Sequence, residues 1–129
     1  MGQDGAMVEI RPLTGADRAG WEVLARAYHA MFDTEVSDGG YTQTWRRLLD
    51  GEQIRGIAAR LDGKLIGFAH YYFHTSVWSA GDCRAYLQDL FVDAGARGCG
   101  AGRALYDKVA SYRGFIAYAR RLEPRAGAA

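Results

Sequence analysis

Apolar residues recur at helical spacing in the first third of the chain. The segment from Thr14 to Glu35 has an apolar residue at every third or fourth position, which predicts a helix with one buried stripe. Thr14 stands at the start with Asp17 three residues later, which is the spacing of a helix-capping pair. The residues predicted to form the buried stripe are Trp21, Leu24, Ala25, Tyr28, Met31 and Phe32.

A second, shorter helix is predicted from Tyr41 to Asp50. Its start follows the sequence SDGG, whose two glycines interrupt the helical pattern. The residues predicted to point inward from this helix are Tyr41, Trp45, Leu48 and Leu49. Both helices therefore offer an apolar side on which a sheet can pack.

The middle of the chain has the pattern expected of β-strands. Asp62 and Gly63 lie between two apolar runs, which predicts two antiparallel strands joined by a tight turn. The run from Tyr86 to Val92 is almost continuously apolar, which predicts a strand covered on both faces. Further strands are predicted over VEIRPL near the start of the chain and from Gly114 onward.

A third helix is predicted after the glycine-rich segment, because Leu105, Val109 and Tyr112 recur on one helical face. The predicted order is therefore β, α, α, β, β, β, α, β. This order predicts an α/β or α+β fold with a single sheet flanked by helices. With 129 residues the chain has the length of one domain, which we expect to span residues 8–122 between disordered ends at 1–7 and 123–129.

Charge and cysteine content exclude several classes of function. The formal net charge is +1, so no overall field attracts the chain to nucleic acid or to an anionic membrane. No apolar run approaches the roughly 18 residues of a membrane span and no secretory signal is recognisable, so we expect a cytoplasmic protein. Cys83 and Cys99 lack the spacing of a metal site, as do His29, His70 and His74, so we expect free thiols and no metal.

The last buried strand before the third helix ends in a cluster of glycines and arginines, with the sequence Arg97-Gly98-Cys99-Gly100-Ala101-Gly102-Arg103. A strand that stops at such a turn and opens a helix leaves backbone N–H groups unpaired, with the positive end of the helix dipole behind them. Glycines let a phosphate approach this backbone, and the two arginines add charged donors. The segment therefore predicts a pyrophosphate site.

Two common phosphate-binding motifs do not fit this cluster. A Walker loop needs Gly-Lys followed by Ser or Thr, whereas Gly102 is followed by Arg103. A dinucleotide fingerprint needs GxGxxG, whereas counting from Gly98 or Gly100 the last position is Arg103 or Leu105. The sequence therefore excludes ATP, GTP or NAD bound through these motifs.

The loop instead has the pattern R-x-x-G-x-G, from Arg97 to Gly102, directly after an apolar strand. In this context the segment YLQDLFVDAGARGCGAGRAL resembles motif A of the GNAT N-acetyltransferase family. The segment FAHYYFHTSVWS is similar to the preceding strand and loop of the family's diamine and small-amine branch. The resemblance reaches from about Val8 to Leu122. It implies an acyl-CoA N-acyltransferase-like fold, a mixed and mostly antiparallel sheet, and acetyl-CoA as cosubstrate.

The resemblance also implies which residues bind acetyl-CoA. Leu90, Phe91 and Val92 would bind the pantetheine arm through free backbone groups of the strand. The loop N–H groups predicted to bind the pyrophosphate are those of Gly98, Cys99, Gly100, Ala101, Gly102 and Arg103, with the Arg97 side chain beside them. Trp78, in the loop before the strand, would form a wall of the amine pocket.

Gln88 and Asp89 are the candidate catalytic residues of the strand. The position of Gln88 is a glutamate in the diamine branch, and Gln88 cannot act as a base but can hydrogen-bond a substrate or a water. Asp89 can accept a proton from the amine. Strand alternation predicts that Asp89 points to the face opposite Gln88.

Tyr106 matches the family's tyrosine that protonates the leaving thiolate, within the segment RALYDKVASYRGF. The family places a helix, a strand and the start of another helix between the glycine loop and this tyrosine, yet Tyr106 follows Gly102 by only four positions. The fold would therefore be shortened at its C-terminal side by about 30 residues, or one helix-plus-strand unit. Three explanations fit this shortening: a deletion, a segment absent from this sequence, or a strand supplied by a partner subunit. An exposed sheet edge favours a homodimer.

The resemblance implies an N-acetyltransferase that passes the acetyl group of acetyl-CoA to a primary amine of a small molecule. Direct attack is favoured over an acyl-enzyme, because no cysteine or serine lies beside a plausible base. The first alternative is an acyl-CoA-binding or structural remnant of that family without catalysis. An RNA-binding module is the second, and it rests on Arg120, Arg121 and Arg125, which lack an aromatic platform.

Overall fold

The computed structural model of the protein describes residues 7–75 and 83–112. In this part of the chain, short 3-10 turns precede the first helix and follow the fourth strand. The main elements are β1 (Val8–Pro12), α1 (Arg18–Met31), α2 (Asp38–Asp50), β2 (Ile54–Leu61), β3 (Lys64–Thr75), β4 (Cys83–Val92) and α3 (Ala101–Ala110). Trp78, the strand predicted from Gly114 and both chain ends lie outside the described residues.

The four described strands form one antiparallel sheet in the order β1-β2-β3-β4. Buried residues divide into two clusters, one that α1 and α2 share with the sheet and one that α3 shares with it. The helices therefore flank the sheet on both faces, which confirms the predicted α/β fold. Within the described residues, no helix is long and apolar enough to cross a membrane.

Aromatic side chains fill most of the space between the sheet and the first two helices. Trp21 packs against Trp45 and Tyr41, with ring centroids 5.0 and 6.2 Å apart. The predicted burial is confirmed at Trp21, Leu24, Ala25, Tyr41, Trp45 and Leu48. These contacts fix α1 and α2 against the same face of the sheet.

Three residues predicted to be buried are exposed instead. Met31 and Phe32 are 58% and 61% exposed, because α1 ends at Met31 and Phe32 already lies beyond the helix. Leu49 is 45% exposed, because it lies about 100° around the helix from buried Leu48. The apolar stripes of both helices are therefore shorter than the sequence pattern suggested.

Side chains cap the starts of the first two helical segments. The Thr14 N–H donates to Asp17 Oδ2 at 2.8 Å, as the capping pair predicted. Ser37 Oγ accepts a hydrogen bond from the Gly40 N–H at 3.0 Å, and α2 begins at Asp38 rather than at Tyr41. The cap thus allows glycines in the first turn, where they would otherwise weaken the helix.

The predicted tight turn joins β2 to β3. Asp62 has φ 53° and Gly63 has φ 83°, the left-handed conformations that a two-residue hairpin turn of this kind requires. Leu61 and Lys64 pair directly across the turn. The hairpin prediction is confirmed.

The end of β4 packs closely against β3 and α3 at Gly67. A Cβ atom on Gly67 would lie 2.8 Å from the Phe91 carbonyl oxygen and 3.4 Å from the Leu105 side chain. Leu105 and Val109 are fully buried, as predicted for the third helix. The absence of a side chain at Gly67 therefore sets how closely the end of β4 approaches its neighbours.

Replacing Gly67 with alanine is expected to destabilise the fold by about 1–3 kcal/mol, because the added methyl group overlaps a backbone oxygen. Gly15→Ala is the matched control, since a Cβ at Gly15 meets no atom within 4 Å. Urea unfolding of both variants measures their free energies of unfolding. Equal stability of the two variants would contradict the close packing of β3 on β4.

Candidate active site

A cavity of about 440 Å³ lies where β4 ends and α3 begins, and we call it the glycine-loop cavity. Tyr28 and Met31 at the end of α1, and Phe32 just beyond it, contribute to its lining. The strand and loop contribute Leu90, Phe91, Val92, Arg97, Gly98, Gly100, Ala101, Gly102 and Arg103. The residues predicted to bind acetyl-CoA are thus brought together, except Cys99, which is an exposed free thiol outside this lining.

The backbone of the glycine loop leaves space for a ligand. Gly98 and Gly100 have φ of 96° and 89°, values that side chains disfavour. A Cβ atom built on either residue would meet no atom within 4 Å. Gly100 is the N-cap of α3 and has no side chain to satisfy the first N–H groups of the helix, in contrast to Ser37 on α2. The loop therefore presents an open helix N-terminus, a site that suits an anion.

The two loop arginines are held in different ways. The Arg97 Nε donates to the Val92 carbonyl oxygen at 2.9 Å, and its guanidinium lies 5.5 Å from the centre of the Phe91 ring. Arg103 Nε contacts both carboxylate oxygens of Asp107, at 3.0 and 3.1 Å, on the exposed side of α3. Both cations therefore lie at the cavity with their positions set by neighbouring groups.

A β-bulge in β4 places Gln88 and Asp89 on the same face of the sheet. His70 pairs with Asp89 and the next residue, Tyr71, pairs with Leu87, so Gln88 has no partner across β3. An extra residue of this kind breaks the alternation of side chains along a strand. The prediction that Asp89 points away from Gln88 is therefore wrong.

Both residues line a second cavity, of about 200 Å³, which we call the Asp89 cavity. Its lining residues are Trp21, Ala25, Tyr28, His29, Val36, Tyr41, Thr44, Phe68, His70, Gln88 and Asp89. Among these described residues there is one carboxylate and no lysine or arginine. The cavity therefore combines aromatic walls with one anionic group.

Two hydrogen bonds hold the Asp89 carboxylate. The Tyr28 hydroxyl donates to Oδ1 at 2.8 Å, and His70 Nδ1 lies 2.9 Å from Oδ2. Burial raises the pKa of Asp89, but the hydrogen bonds that its carboxylate accepts from His70 and Tyr28 outweigh burial and lower it. The pKa of Asp89 thus lies below its ordinary value of 3.8, and the group is a carboxylate near neutral pH.

Tyr28 lies between the two cavities and lines both of them. Its ring contacts Phe68 and Phe91 edge-on, with centroids 5.9 and 5.8 Å away. Burial, followed by the charge of Asp89 and the hydrogen bond to it, raises the pKa of Tyr28 well above its ordinary value of 10.0. Tyr28 therefore remains a protonated hydrogen-bond donor throughout the neutral range.

Residues 21–122 match a protein-family model described as the Acetyltransferase (GNAT) family. The match covers most of the chain and includes both cavities. The chain belongs to the GNAT acetyltransferase family. The family resemblance inferred from the glycine-loop motif is thereby confirmed.

One curated relative is the D-amino-acid N-acetyltransferase HPA3 of Saccharomyces cerevisiae (strain ATCC 204508 / S288c). It is 30% identical over 107 residues, which are 81% of this chain and 66% of the relative. The chain therefore spans just under two thirds of the length of that relative.

Solved structures share the fold at lower identity. The aminoglycoside N-acetyltransferase AAC(6')-Iy in complex with CoA has a TM-score of 0.71 and 18% identity, over 88% of this chain and 77% of that chain. The ribosomal-protein-alanine N-acetyltransferase from Brucella melitensis biovar Abortus 2308 has a TM-score of 0.72 and 22% identity, over 86% and 80%. Both likenesses confirm the GNAT fold predicted from the sequence.

Tyr106, the residue matched to the family's catalytic tyrosine, lies within α3. It is half-buried and packs against the core cluster that contains Leu105 and Val109. It is not among the residues that line either cavity. Its catalytic role stays a prediction, as does the wall formed by Trp78.

Tyr28 and His70, two side chains of the candidate site, have no motif in the sequence that marks them as site residues. The helical pattern places Tyr28 in the buried stripe of α1, and His70, which lacks the spacing of a metal site, is expected to be a surface histidine or one with a satisfied hydrogen bond. Neither has a local motif, because each gains its partner Asp89 from a different element: α1 approaches β4, and β3 pairs with it. The only indication in the sequence is the position of Tyr28 one turn before the end of α1, which is the end that lies at the cavities.

Stability is expected to fall as pH rises above about 10, because Tyr28 ionises near its ordinary pKa in the unfolded chain and remains protonated in the fold. Its contribution is fully present below that pH and is lost above it. Denaturant midpoints measured from about pH 9 to about pH 11.5 should fall less steeply in Tyr28→Phe than in the wild type. Parallel curves would show that Tyr28 is not shielded in the fold.

Proposed function

We propose that the protein transfers the acetyl group of acetyl-CoA to a primary amine of a small molecule, by direct attack of the amine on the thioester. The observation that carries this proposal is the meeting of the two cavities at Tyr28. One cavity offers an open helix N-terminus to an anion, and the other offers a carboxylate to a cation. A transferase needs two such sites side by side, so that the two substrates are held within reach of each other.

The glycine-loop cavity suits acetyl-CoA. The open space above Gly98 and Gly100 would admit the pyrophosphate to the N–H groups at the start of α3, with Arg97 and Arg103 as further donors. The strand end at Leu90–Val92 would follow the pantetheine arm. Acetyl-CoA supplies the activated acetyl group as a thioester.

The Asp89 cavity suits an amine in its ammonium form. A carboxylate with a pKa below 3.8 is a weak base toward an ammonium of pKa about 10, so Asp89 would hold the cation rather than deprotonate it. Gln88, in the same lining, would hydrogen-bond the substrate or a water. The aromatic residues Trp21, Tyr41 and Phe68 form apolar walls of this cavity.

The reaction has a simple balance of bonds and protons. The amine nitrogen bonds to the acetyl carbon, and the carbon–sulfur bond breaks. Of the two protons that the ammonium loses, one ends on the sulfur of CoA and one passes to solvent. Water in the Asp89 cavity, held by Gln88, would carry the proton that leaves first.

The charge of the Asp89 cavity favours small di- and polyamines over amino acids as acceptors. Its lining, among the described residues, has no lysine or arginine to bind a carboxylate. This supports the diamine branch suggested by the sequence, although the curated relative HPA3 is named for D-amino acids. Relative rates with diamines, amino acids and an aminoglycoside decide between these classes of substrate.

Amine-dependent release of free thiol from acetyl-CoA tests the proposed function. We expect release with at least one primary amine and a matching product that carries one added acetyl group by mass spectrometry. Incubation without an amine provides the background rate of thioester hydrolysis. No release above this background across the panel of amines would contradict acetyl transfer.

A second candidate is an acyl-CoA-binding remnant of the family without catalysis. The placement of Tyr106 favours it, because this side chain packs on the core cluster beside α3 rather than lining a cavity. Saturable binding of acetyl-CoA together with no turnover would support this candidate. The homodimer and the missing helix-plus-strand unit stay predictions, and light scattering with intact mass measurement tests both.

A further inference from the structure

A chain of hydrogen bonds connects the buried side of α1 to the Asp89 cavity. Trp21 Nε1 on α1 donates to His70 Nε2 on β3 at 3.0 Å. His70 Nδ1 in turn lies 2.9 Å from Asp89 Oδ2 on β4. Trp21 is 1% exposed, so the indole nitrogen has no access to water as an alternative partner. The three residues therefore form one connected unit across three elements of the fold.

Trp21 fixes the direction of every bond in this chain. An indole N–H can only donate a hydrogen bond, so His70 Nε2 must accept it and cannot itself carry a proton. The imidazole proton is therefore on Nδ1, which donates to the carboxylate of Asp89. The opposite tautomer would turn two lone pairs toward each other at Asp89 and two N–H groups toward each other at Trp21.

The orientation of the His70 ring is fixed as well. The ring stacks on Phe68, with centroids 4.4 Å apart and planes inclined by 16°. His70 and Asp89 are direct partners across the β3–β4 ladder, at the edge of the bulge that carries Gln88. The imidazole thus has little freedom to turn away from the carboxylate.

Asp89 keeps part of its hydrogen-bonding capacity for a ligand. A carboxylate has about four acceptor positions, of which Tyr28 and His70 use one on each oxygen. The side chain is 21% exposed and lines the cavity. Both oxygens are therefore held from the protein side while their remaining lone pairs are available to the cavity.

We infer that Trp21 and His70 are positioning residues, which orient the Asp89 carboxylate so that it binds the acceptor ammonium in a single geometry. This inference rests on the proposed function, because it takes the Asp89 cavity to be the amine site. The Trp21 N–H selects the His70 tautomer that carries its proton on Nδ1. This Nδ1–H donates to Asp89 Oδ2, while the Tyr28 hydroxyl donates to Oδ1, so both carboxylate oxygens are held in place. Neither Trp21 nor His70 needs to exchange a proton with the substrate.

The tautomer of His70 gives a direct test on the wild-type chain. The protein has three histidines, so their ring nitrogen and carbon resonances can be assigned by NMR in the intact chain. We expect a single neutral form of His70 with the proton on Nδ1. A proton on Nε2, or on both nitrogens, at neutral pH would overturn the inference.

Two substitutions of His70 separate positioning from packing. The amide nitrogen of asparagine can take the place of imidazole Nδ1, whereas the amide of the longer glutamine reaches the place of Nε2. We therefore expect His70→Asn to stay within about threefold of the wild type in kcat/KM. His70→Gln should lose about tenfold, mainly through a higher KM for the amine, as after loss of a hydrogen bond to a charged group. Equal losses in the two variants would overturn the inference.

Acetyl-CoA affinity provides the control, because His70 does not line the glycine-loop cavity. It should be unchanged in both variants if they fold as the wild type does. The NMR measurement requires no substrate, so it remains decisive if no amine is turned over. In that case the proposed function fails. A His70 proton on Nδ1 would still support the hydrogen-bond chain from Trp21 to Asp89, and a proton on Nε2 would contradict it.

Discussion

Replacing Gly100 with alanine should weaken acetyl-CoA binding by about 30-fold, which corresponds to about 2 kcal/mol. The added methyl group would project into the open space above the loop, where no protein atom lies within 4 Å. A pyrophosphate held there would be pushed away from the N–H groups of α3, and one hydrogen bond to a charged group contributes about 1.5–3 kcal/mol. Calorimetric titration of acetyl-CoA into the variant measures the effect.

Gly63→Ala is the matched control for this substitution. Gly63 has φ 83°, close to the 89° of Gly100, and its Cβ would likewise meet no atom within 4 Å. Both variants should therefore carry a similar backbone strain and lose similar stability. Gly63 lies in the β2–β3 turn, away from the glycine-loop lining, so its variant should bind acetyl-CoA as the wild type does. If acetyl-CoA binding is weakened equally in Gly100→Ala and Gly63→Ala, backbone strain alone would explain the effect.

Replacing Asp89 with asparagine should lower kcat/KM for the amine by about 30- to 150-fold, or about 2–3 kcal/mol. The amide keeps the shape of the carboxylate but removes the charge that would hold the ammonium. It also brings an NH₂ group toward one of the two donors, Tyr28 or His70. Steady-state kinetics with the preferred amine measure the loss, which should appear mainly as a higher KM.

Asp62→Asn provides the same change of charge at a distant position. Asp62 lies in the β2–β3 turn with φ 53°, a conformation that asparagine tolerates. Its variant should keep the activity of the wild type. Acetyl-CoA affinity should be unchanged in both variants, because Asp89 does not line the glycine-loop cavity. A loss of kcat without a rise in KM in Asp89→Asn would instead indicate a base rather than an ammonium site.

Local sequence signals predicted most of the fold and half of the site. The Asp62-Gly63 turn and the glycine loop each depend on backbone conformations that few residues adopt, so the residues themselves reveal the structure. The buried faces of α1 and α3 follow from helical periodicity. These features need no knowledge of distant parts of the chain, and the cosubstrate cavity could be outlined from them.

The arrangement around Asp89 depends on contacts between distant segments. The bulge at Gln88 arises from the pairing of β4 with β3, so strict alternation along β4 gave the wrong face for Asp89. Tyr28 and His70 become partners of Asp89 only when α1 and β3 pack beside β4. The exposure of Met31 and Phe32 depends in the same way on where α1 ends relative to the cavity.

The most direct test is a calorimetric titration of acetyl-CoA into the wild-type chain, followed by addition of each amine of the panel with thiol release as the readout. We expect one-to-one binding in the micromolar range and thiol release that depends on at least one of these amines. Binding without release would leave the glycine-loop cavity as an acyl-CoA site and reject the transferase. No heat of binding at any reachable concentration would contradict the proposal that the glycine loop holds acetyl-CoA.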